Sequence, residues 1–487
     1  MSTPDLVITN VRVVHHDHPE PQAWDVAVTD GVITAVGADL DTDGAEVVDG
    51  AGRLLFPGVV DAHQHWGIYN ELSVDAETES RACAQGGVTT ALNYMRTGQY
   101  YLNRGGSYRD FFPRVLEASQ GRSFVDYGFH LAPMSKEHLG ELSDLVTDHG
   151  VTSFKIFMFY GSHGLHGRSS SQSDFLMIPE DERYDLAHFE FVMRAVQKAR
   201  ADHPELADEI SLSLHCETAE IMTAYTKLVE EQGELTGLAA YSASRPQHSE
   251  GLAVTIASYL AHETDLPTIN LLHLSSAKAM DAALRMAATF PEVDFRREVT
   301  VGHLLADIDT ASGLGAKVNP PIRPREDVEA LWRHVLAGEV SWVVSDHACC
   351  REELKFGEPA DDVFVAKSGF GGAEYLLAGM VSEGGARGLP MGEVARLTAW
   401  NPAERFGLRT KGAVAVGFDA DLVLVDPDHT WTVRASESES TQEYTPFEGM
   451  ELTAQVTDTF LRGARVLADG KVVGEPTGRY LRRPTGR

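Results

Sequence analysis

Cysteine is scarce in this chain: Cys83, Cys216, Cys349 and Cys350 are the four in 487 residues. They are too few and too irregularly spaced for a disulfide scaffold. Basic residues are also short, with 41 Lys and Arg against 72 Asp and Glu, a formal charge of −31. A surface of that sign repels phosphate backbones and anionic lipid, so neither nucleic acid nor a membrane surface is an expected partner. Long apolar runs are missing: none reaches the roughly 18 residues of a membrane span. Residues 1–10, MSTPDLVITN, lack the basic and apolar regions of a signal peptide. No repeat of solenoid length is present. These absences point to a soluble, cytoplasmic protein.

The composition that remains, 43% hydrophobic and 23% charged, is that of a globular chain. Its length allows about three domains, or one (β/α)₈ barrel of about 250 residues with additions. The first fifty residues alternate at period two, and Asp30-Gly31 between two apolar runs is a hairpin signal. The same texture returns in DADLVLVDPD and around Asp469-Gly470. We therefore expect one small β-sandwich domain assembled from residues 1–54 and 409–473. Residues 474–487 carry no core pattern and read as frayed or as a subunit contact. The middle, 55–408, alternates eight apolar runs with helical stretches. The runs are 58–63, 88–94, 125–131, 152–157, 210–215, 268–273, 297–303 and 341–346, and helices are expected at 186–201, 251–262, 276–290 and 325–336. Eight such units predict an α/β fold, a TIM (β/α)₈ barrel with strands buried on both faces. Ser169–Ser171 marks a polar loop after the fourth strand, either a cover for a site or a surface insertion.

The chemistry sits where the strands end. The first run ends in Asp61-Ala62-His63-Gln64-His65, and residues two apart on extended backbone face the same side. The fourth carries Lys155 inside an apolar run; the fifth, sixth and eighth end at His215, His273 and Asp346. C-terminal strand ends of a barrel converge on one space. Imidazole and carboxylate ligate zinc and neighbouring divalent ions. One such histidine is more often a hydrogen-bonded structural residue; four with an aspartate at these positions make a metal site. His15, His16 and His18 lie in an N-terminal turn and receive no role.

FPGVVDAHQH, GGVTT, GVTSFKIFM, LHCE, LLHLSS, KVNPPIR, VVSDHA, NPAERFGL and GFDADLVLVDP, in that order from Leu6 to Val473, resemble the amidohydrolase superfamily. More narrowly, they resemble its cyclic amidohydrolases: the hydantoinases, dihydropyrimidinases and allantoinases. The resemblance implies two divalent metal ions, zinc first among them, bridged by a Lys155 that CO₂ has N-carboxylated. A buried strand lysine is costly as an ammonium, whereas its carbamate is an anionic oxygen ligand. By the same resemblance His63 and His65 hold the more buried ion with Asp346, and His215 and His273 hold the other. A hydroxide shared by the ions would attack the ring carbonyl, with Asp346 shuttling the proton and Tyr160 donating to the oxyanion. Asn319 and Ser368 would meet the cyclic amide substrate through their backbones.

The implied reaction opens a hydantoin, dihydropyrimidine or related ureide ring to an N-carbamoyl product. Allantoin opening and lactam or imide hydrolysis are alternatives on the same centre. Non-catalytic scaffold relatives of dihydropyrimidinase lack several ligands, and all six are present here. Relatives are commonly homotetramers. Two departures stand out: Ala348-Cys349-Cys350 where the family often has Ala-Pro, and Lys367-Ser368-Gly369 where Pro-Asn-Gly is usual. The aromatic stretches Trp66–Tyr69 and Phe157–Tyr160 predict a pocket for a bulky or apolar ring substituent.

Overall fold

The period-two runs at the two chain ends pair with one another. In the computed structural model, which describes residues 4–160, 163–166 and 171–486, they form one nine-stranded sheet. Strand Leu6–Val13 pairs antiparallel with Gln22–Thr29 and parallel with both Glu46–Asp49 and Leu54–Pro57. Leu54–Pro57 then pairs antiparallel with Leu422–Asp426, which joins the N-terminal strands to the C-terminal ones. Gln455–Leu461, Ala464–Ala468 and Lys471–Val472 extend the sheet from there, and Val32–Gly37, antiparallel to Gln22–Thr29, completes it at the other edge. Both Asp-Gly turns take the two consecutive positive φ values that a tight hairpin requires, 51° and 77° at Asp30-Gly31, 49° and 74° at Asp469-Gly470. Ile8, Val26, Leu55, Leu422, Leu424 and Phe460 share a separate buried cluster, so this sheet has its own core.

The middle of the chain is the barrel. Its parallel strands are Val59–Gln64, Val88–Met95, Asp126–Leu131, Ser153–Phe157, Ser211–His215, Thr268–Leu271, Asp294–Thr300 and Trp342–Val344, neighbours in sequence order. The His65 amide donates to the His347 carbonyl at 2.8 Å, which brings the eighth strand back to the first. Helix Arg325–Leu336 lies at its expected bounds, and Leu186–Asp202, Gln247–Glu263 and Ala277–Thr289 lie close to theirs. Ser276 caps the last of these by accepting from the Ala279 amide at 3.3 Å.

Three strand ends differ from expectation for local reasons, the eighth stopping at Val344, before Asp346, whose φ of 56° leaves the strand direction. The seventh run, expected to reach His303, stops at Thr300, whose hydroxyl accepts from the His303 amide at 3.2 Å and opens helix Val301–Leu305. The sixth stops at Leu271, before His273, whose φ of 35° leaves the strand direction. Of the polar loop, Ser169 and Ser170 lie outside the described residues, and Ser171 caps the short helix Gln172–Leu176. Among the described residues no helix is long and apolar enough to cross a membrane.

The C-terminal tail packs on its own barrel, at the N-terminal ends of the strands. The Tyr127 amide donates to Arg479, and the Leu481 and Arg483 amides donate to Tyr127 and Gly150, at 2.7–2.9 Å. Arg483 is buried, donating from Nη1 to Ser153 Oγ at 2.8 Å and from Nη2 to the Phe129 carbonyl. These bonds are mostly backbone, which is why GEPTGRYLRRPTGR shows no apolar period. Arg483→Ala removes a donor from two buried acceptors and should lower unfolding stability by about 1–3 kcal/mol. Turnover should be little changed; an unaltered denaturant midpoint would mean that the tail contact adds no stability.

Candidate metal centre

The alternation of an extended chain puts His63 and His65 on one side of the first strand, and the structure brings Asp346 to both. Asp346 Oδ1 is 3.1 Å from His63 Nε2 and 3.3 Å from His65 Nε2. Lys155 Nζ lies 3.2 Å from His63 Nε2, over the rings of Tyr94 at 4.0 Å and Phe157 at 4.3 Å. His273 stands 5.3 Å from His63 and 4.2 Å from His215, ring centre to ring centre. One donor atom each of His63, His273 and Asp346 fall within 4.8 Å of one another. All six side chains are buried. Both His273 and Asp346 carry positive φ, 35° and 56°, a local strain of about 1–3 kcal/mol each that functional sites commonly hold.

Three of the imidazoles have their outer nitrogen engaged, which aims the inner one at the centre. His63 Nδ1 meets Glu298 Oε1 at 2.7 Å, and Glu298 in turn accepts from Trp342 Nε1 at 2.9 Å and from the His273 amide at 3.1 Å. His65 Nδ1 meets the Tyr101 hydroxyl at 2.7 Å. His215 Nε2 meets Glu217 Oε2 at 2.7 Å, and Arg245 Nε donates to the other oxygen of Glu217 at 2.9 Å. Burial dominates the electrostatics: it holds His63, His65 and His273 well below the usual histidine range and brings His215 to about 4. The same desolvation brings Lys155 down to about 7 and pushes Glu298 up to about 8.

The donor set fits a divalent transition metal. It offers neutral imidazoles, a carboxylate between two of them, and a buried His273 Nδ1 with no hydrogen-bond partner among the described residues. A cation on these ligands compensates the cost that burial imposes on the carboxylates behind them.

Above the centre, Tyr160 lines a cleft with Ile68, Phe157, Phe159, Leu165 and Val318. Asn319 and Ser368 are there too, joined through Tyr241, whose hydroxyl donates to Asn319 Oδ1 at 2.5 Å and lies 3.3 Å from Ser368 Oγ. Asn319 Nδ2 donates to the Leu165 carbonyl at 2.8 Å, so its side chain braces the loop. The Ser368 backbone is engaged, its amide donating to His166 Nδ1 at 3.1 Å and its carbonyl accepting from the Tyr69 hydroxyl. Trp66, expected to shape the pocket, is buried against Tyr127, 6.1 Å between ring centres, and does not line the cleft that His65 and Ile68 line. Cys216 and Cys350 are buried thiols, Cys350 pushed up to about 11 by desolvation, and act as small apolar side chains.

A model of the amidohydrolase family matches residues 54–473. The chain belongs to the amidohydrolase family. An allantoinase of Rubrobacter xylanophilus is 33% identical over 486 residues, 99% of this chain and 98% of that one. An allantoinase of Desulfitobacterium hafniense (strain DSM 10664 / DCB-2) is 31% identical over 489 residues, 99% of each. The crystal structure of dihydropyrimidinase from Brevibacillus agri NCHU1002 superposes with a TM-score of 0.83 at 26% identity, covering 98% of both chains. This amidohydrolase is thus an enzyme of the cyclic amidohydrolase group, and its barrel with a second sheet from both ends is that group's fold.

Four polar residues of this amidohydrolase's centre were missed by sequence reasoning: Glu298, Glu217, Tyr101 and Arg245. Glu298 had a signal, a carboxylate inside the seventh apolar run; Glu217 stood in LHCE itself. Tyr101 and Arg245 lie outside the strands and gave none. Removing an outer partner of a metal-binding histidine typically costs about 10–100-fold in metal affinity. Glu298→Ala is expected to do so, read by titrating chelator against bound metal; unchanged affinity would mean that Glu298 does not orient His63.

Proposed function

We propose that this enzyme opens a cyclic ureide at a centre of two divalent ions, zinc first. The observation that carries the reading is the convergence of His63, His65, Lys155, His215, His273 and Asp346 at one end of the barrel. In this reading His63, His65 and Asp346 would hold one ion and His215 and His273 the other, and Lys155, as its carbamate, would supply them with an anionic oxygen ligand. Bound there, the ions would make a water nucleophilic at neutral pH and polarise the ring carbonyl.

The chain's own residues supply the rest. Asp346 takes a proton from the attacking water and delivers it to the ring nitrogen as the C–N bond breaks. The water oxygen stays on the carbonyl carbon, leaving a carboxylate and an N-carbamoyl group. Tyr160 donates to the carbonyl oxygen as charge builds on it. The backbone of Asn319 meets the ring amide, since the hydrogen bonds found for this residue run through its side chain. The engaged Ser368 backbone gives it the lesser part of that contact.

Allantoin stands first among the rings, because allantoinases align with essentially the whole chain. A hydantoin with an apolar substituent stands second, favoured by the cleft wall of Ile68, Phe157 and Val318. We further propose a cytoplasmic homotetramer; half-exposed Phe191 and Tyr259, on two of the barrel helices, offer apolar surface for assembly. The test joins metal analysis of protein purified without chelator to a hydrolysis screen of allantoin, hydantoins, dihydrouracil, lactams and cyclic imides. About two metals per chain with turnover of a ureide is expected. A chain that takes up no metal from zinc and bicarbonate would overturn the mechanism, and turnover of lactams or imides alone would overturn the substrate class.

A further inference from the structure

Arg96 immediately follows the second barrel strand, Val88–Met95, at the end where the metal centre lies, and has no part in the chemistry above. It is wholly buried. Nη1 donates to the Thr97 carbonyl at 2.9 Å, while Nε and Nη2 have no hydrogen-bond partner among the described residues. Aromatic faces surround it: the guanidinium carbon is 5.1 Å from the Tyr160 ring centre, 5.2 Å from Tyr101 and 4.7 Å from Phe175. Gly98, at φ 109°, makes the room, since a Cβ there would sit 2.7 Å from Nη1.

A desolvated cation with two donors unmet among the described residues is costly, and ring faces return only part of that cost. Arginine keeps its charge wherever it is buried. The charge therefore projects onto what lies nearest, and two of its three aromatic neighbours lead to the centre. Tyr101 holds His65 through its hydroxyl, and Tyr160 lines the substrate cleft. Burial pushes the Tyr160 phenol up, and Arg96 is the first influence pulling it back.

We infer that Arg96 is a positioning residue for turnover: its buried guanidinium fixes the Tyr160 ring at the cleft and strengthens the phenol as a donor to the oxygen on which charge develops. The inference rests on the oxyanion role proposed for Tyr160. A fixed positive charge beside that donor acts in the transition state, where the oxygen is negative, more than in substrate binding.

The experiment is a double-mutant cycle in the metal-loaded enzyme, on whichever ring the wild type opens. Arg96→Met should lower kcat about tenfold or more and move KM by less than about threefold. Arg96→Lys should recover most of the loss. In a Tyr160→Phe background Arg96→Met should cost nothing further, with metal content and unfolding midpoint at wild-type values throughout. Should Arg96→Met not fold, Arg96→Gln takes its place, keeping a planar donor without the charge. If Tyr160→Phe lowers kcat and the Arg96 loss adds to it in full, the inference is overturned while the Tyr160 role stands. If Tyr160→Phe alone leaves kcat unchanged, the oxyanion role falls and the inference with it. A loss confined to KM, or one that tracks lost metal, would also overturn it.

Discussion

Asp346→Asn should abolish turnover while leaving the chain folded. The carboxylate lies 3.1 Å from His63 and 3.3 Å from His65, opens onto the cleft, and is the one acid there proposed both to hold an ion and to carry the proton. The amide keeps the shape and the left-handed backbone, which asparagine tolerates as well as aspartate does. It cannot accept a proton from water. Removing a general base costs about 10²–10⁴-fold in rate, and losing an anionic ligand adds to that. We expect kcat to fall by about 10³-fold or more. The informative readout is kcat beside metal content. A protein that holds its metal and has lost turnover separates the two roles, whereas one retaining about a tenth of wild-type kcat would show that the proton travels by another route.

Lys155→Gln should be as damaging, through the metal itself. Lys155 Nζ sits 3.2 Å from His63 and is held over two aromatic rings in a strand where every residue is buried. Glutamine is polar, one bond shorter, and cannot be carboxylated. Loss of an outer partner costs about 10–100-fold in metal affinity, so loss of the ligand proposed at Lys155 should exceed that range. Metal per chain and turnover should fall together. Wild-type enzyme exposed to ¹³C-bicarbonate should show a carbamate resonance that Lys155→Gln lacks. A variant that binds metal as tightly as the wild type would remove Lys155 from the ligand set.

Much of this architecture is legible in the sequence because the signals are local. Asp30-Gly31 and Asp469-Gly470 each specify a turn on their own, and continuous apolar runs mark strands buried on both faces. The convergence of the six proposed ligands was legible for a topological reason: side chains at C-terminal strand ends must meet once the barrel is known. What stayed hidden depends on distant partners. Nothing near Arg245 foretells Glu217, and nothing near Tyr101 foretells His65, because each pair forms only in three dimensions. Arg96 is the same case, its meaning set by Tyr160, Tyr101 and Phe175. The strand ends at Thr300 and Leu271 were missed by smaller things, a hydroxyl cap and one left-handed residue.

The sheet that joins both chain ends sets the timetable of synthesis. Leu54–Pro57 leaves the ribosome early, and its neighbour Leu422–Asp426 follows more than three hundred residues later. Until then the nascent chain carries an open sheet edge, of the kind that recruits the wrong partner. Contacts of such sequence separation also slow folding. Arg483, which donates to Ser153 and Phe129 on the barrel floor, emerges later still. The sheet therefore closes only after the whole barrel has been made, and chains cut short before Leu422 by frameshift or proteolysis should need chaperones to stay in solution.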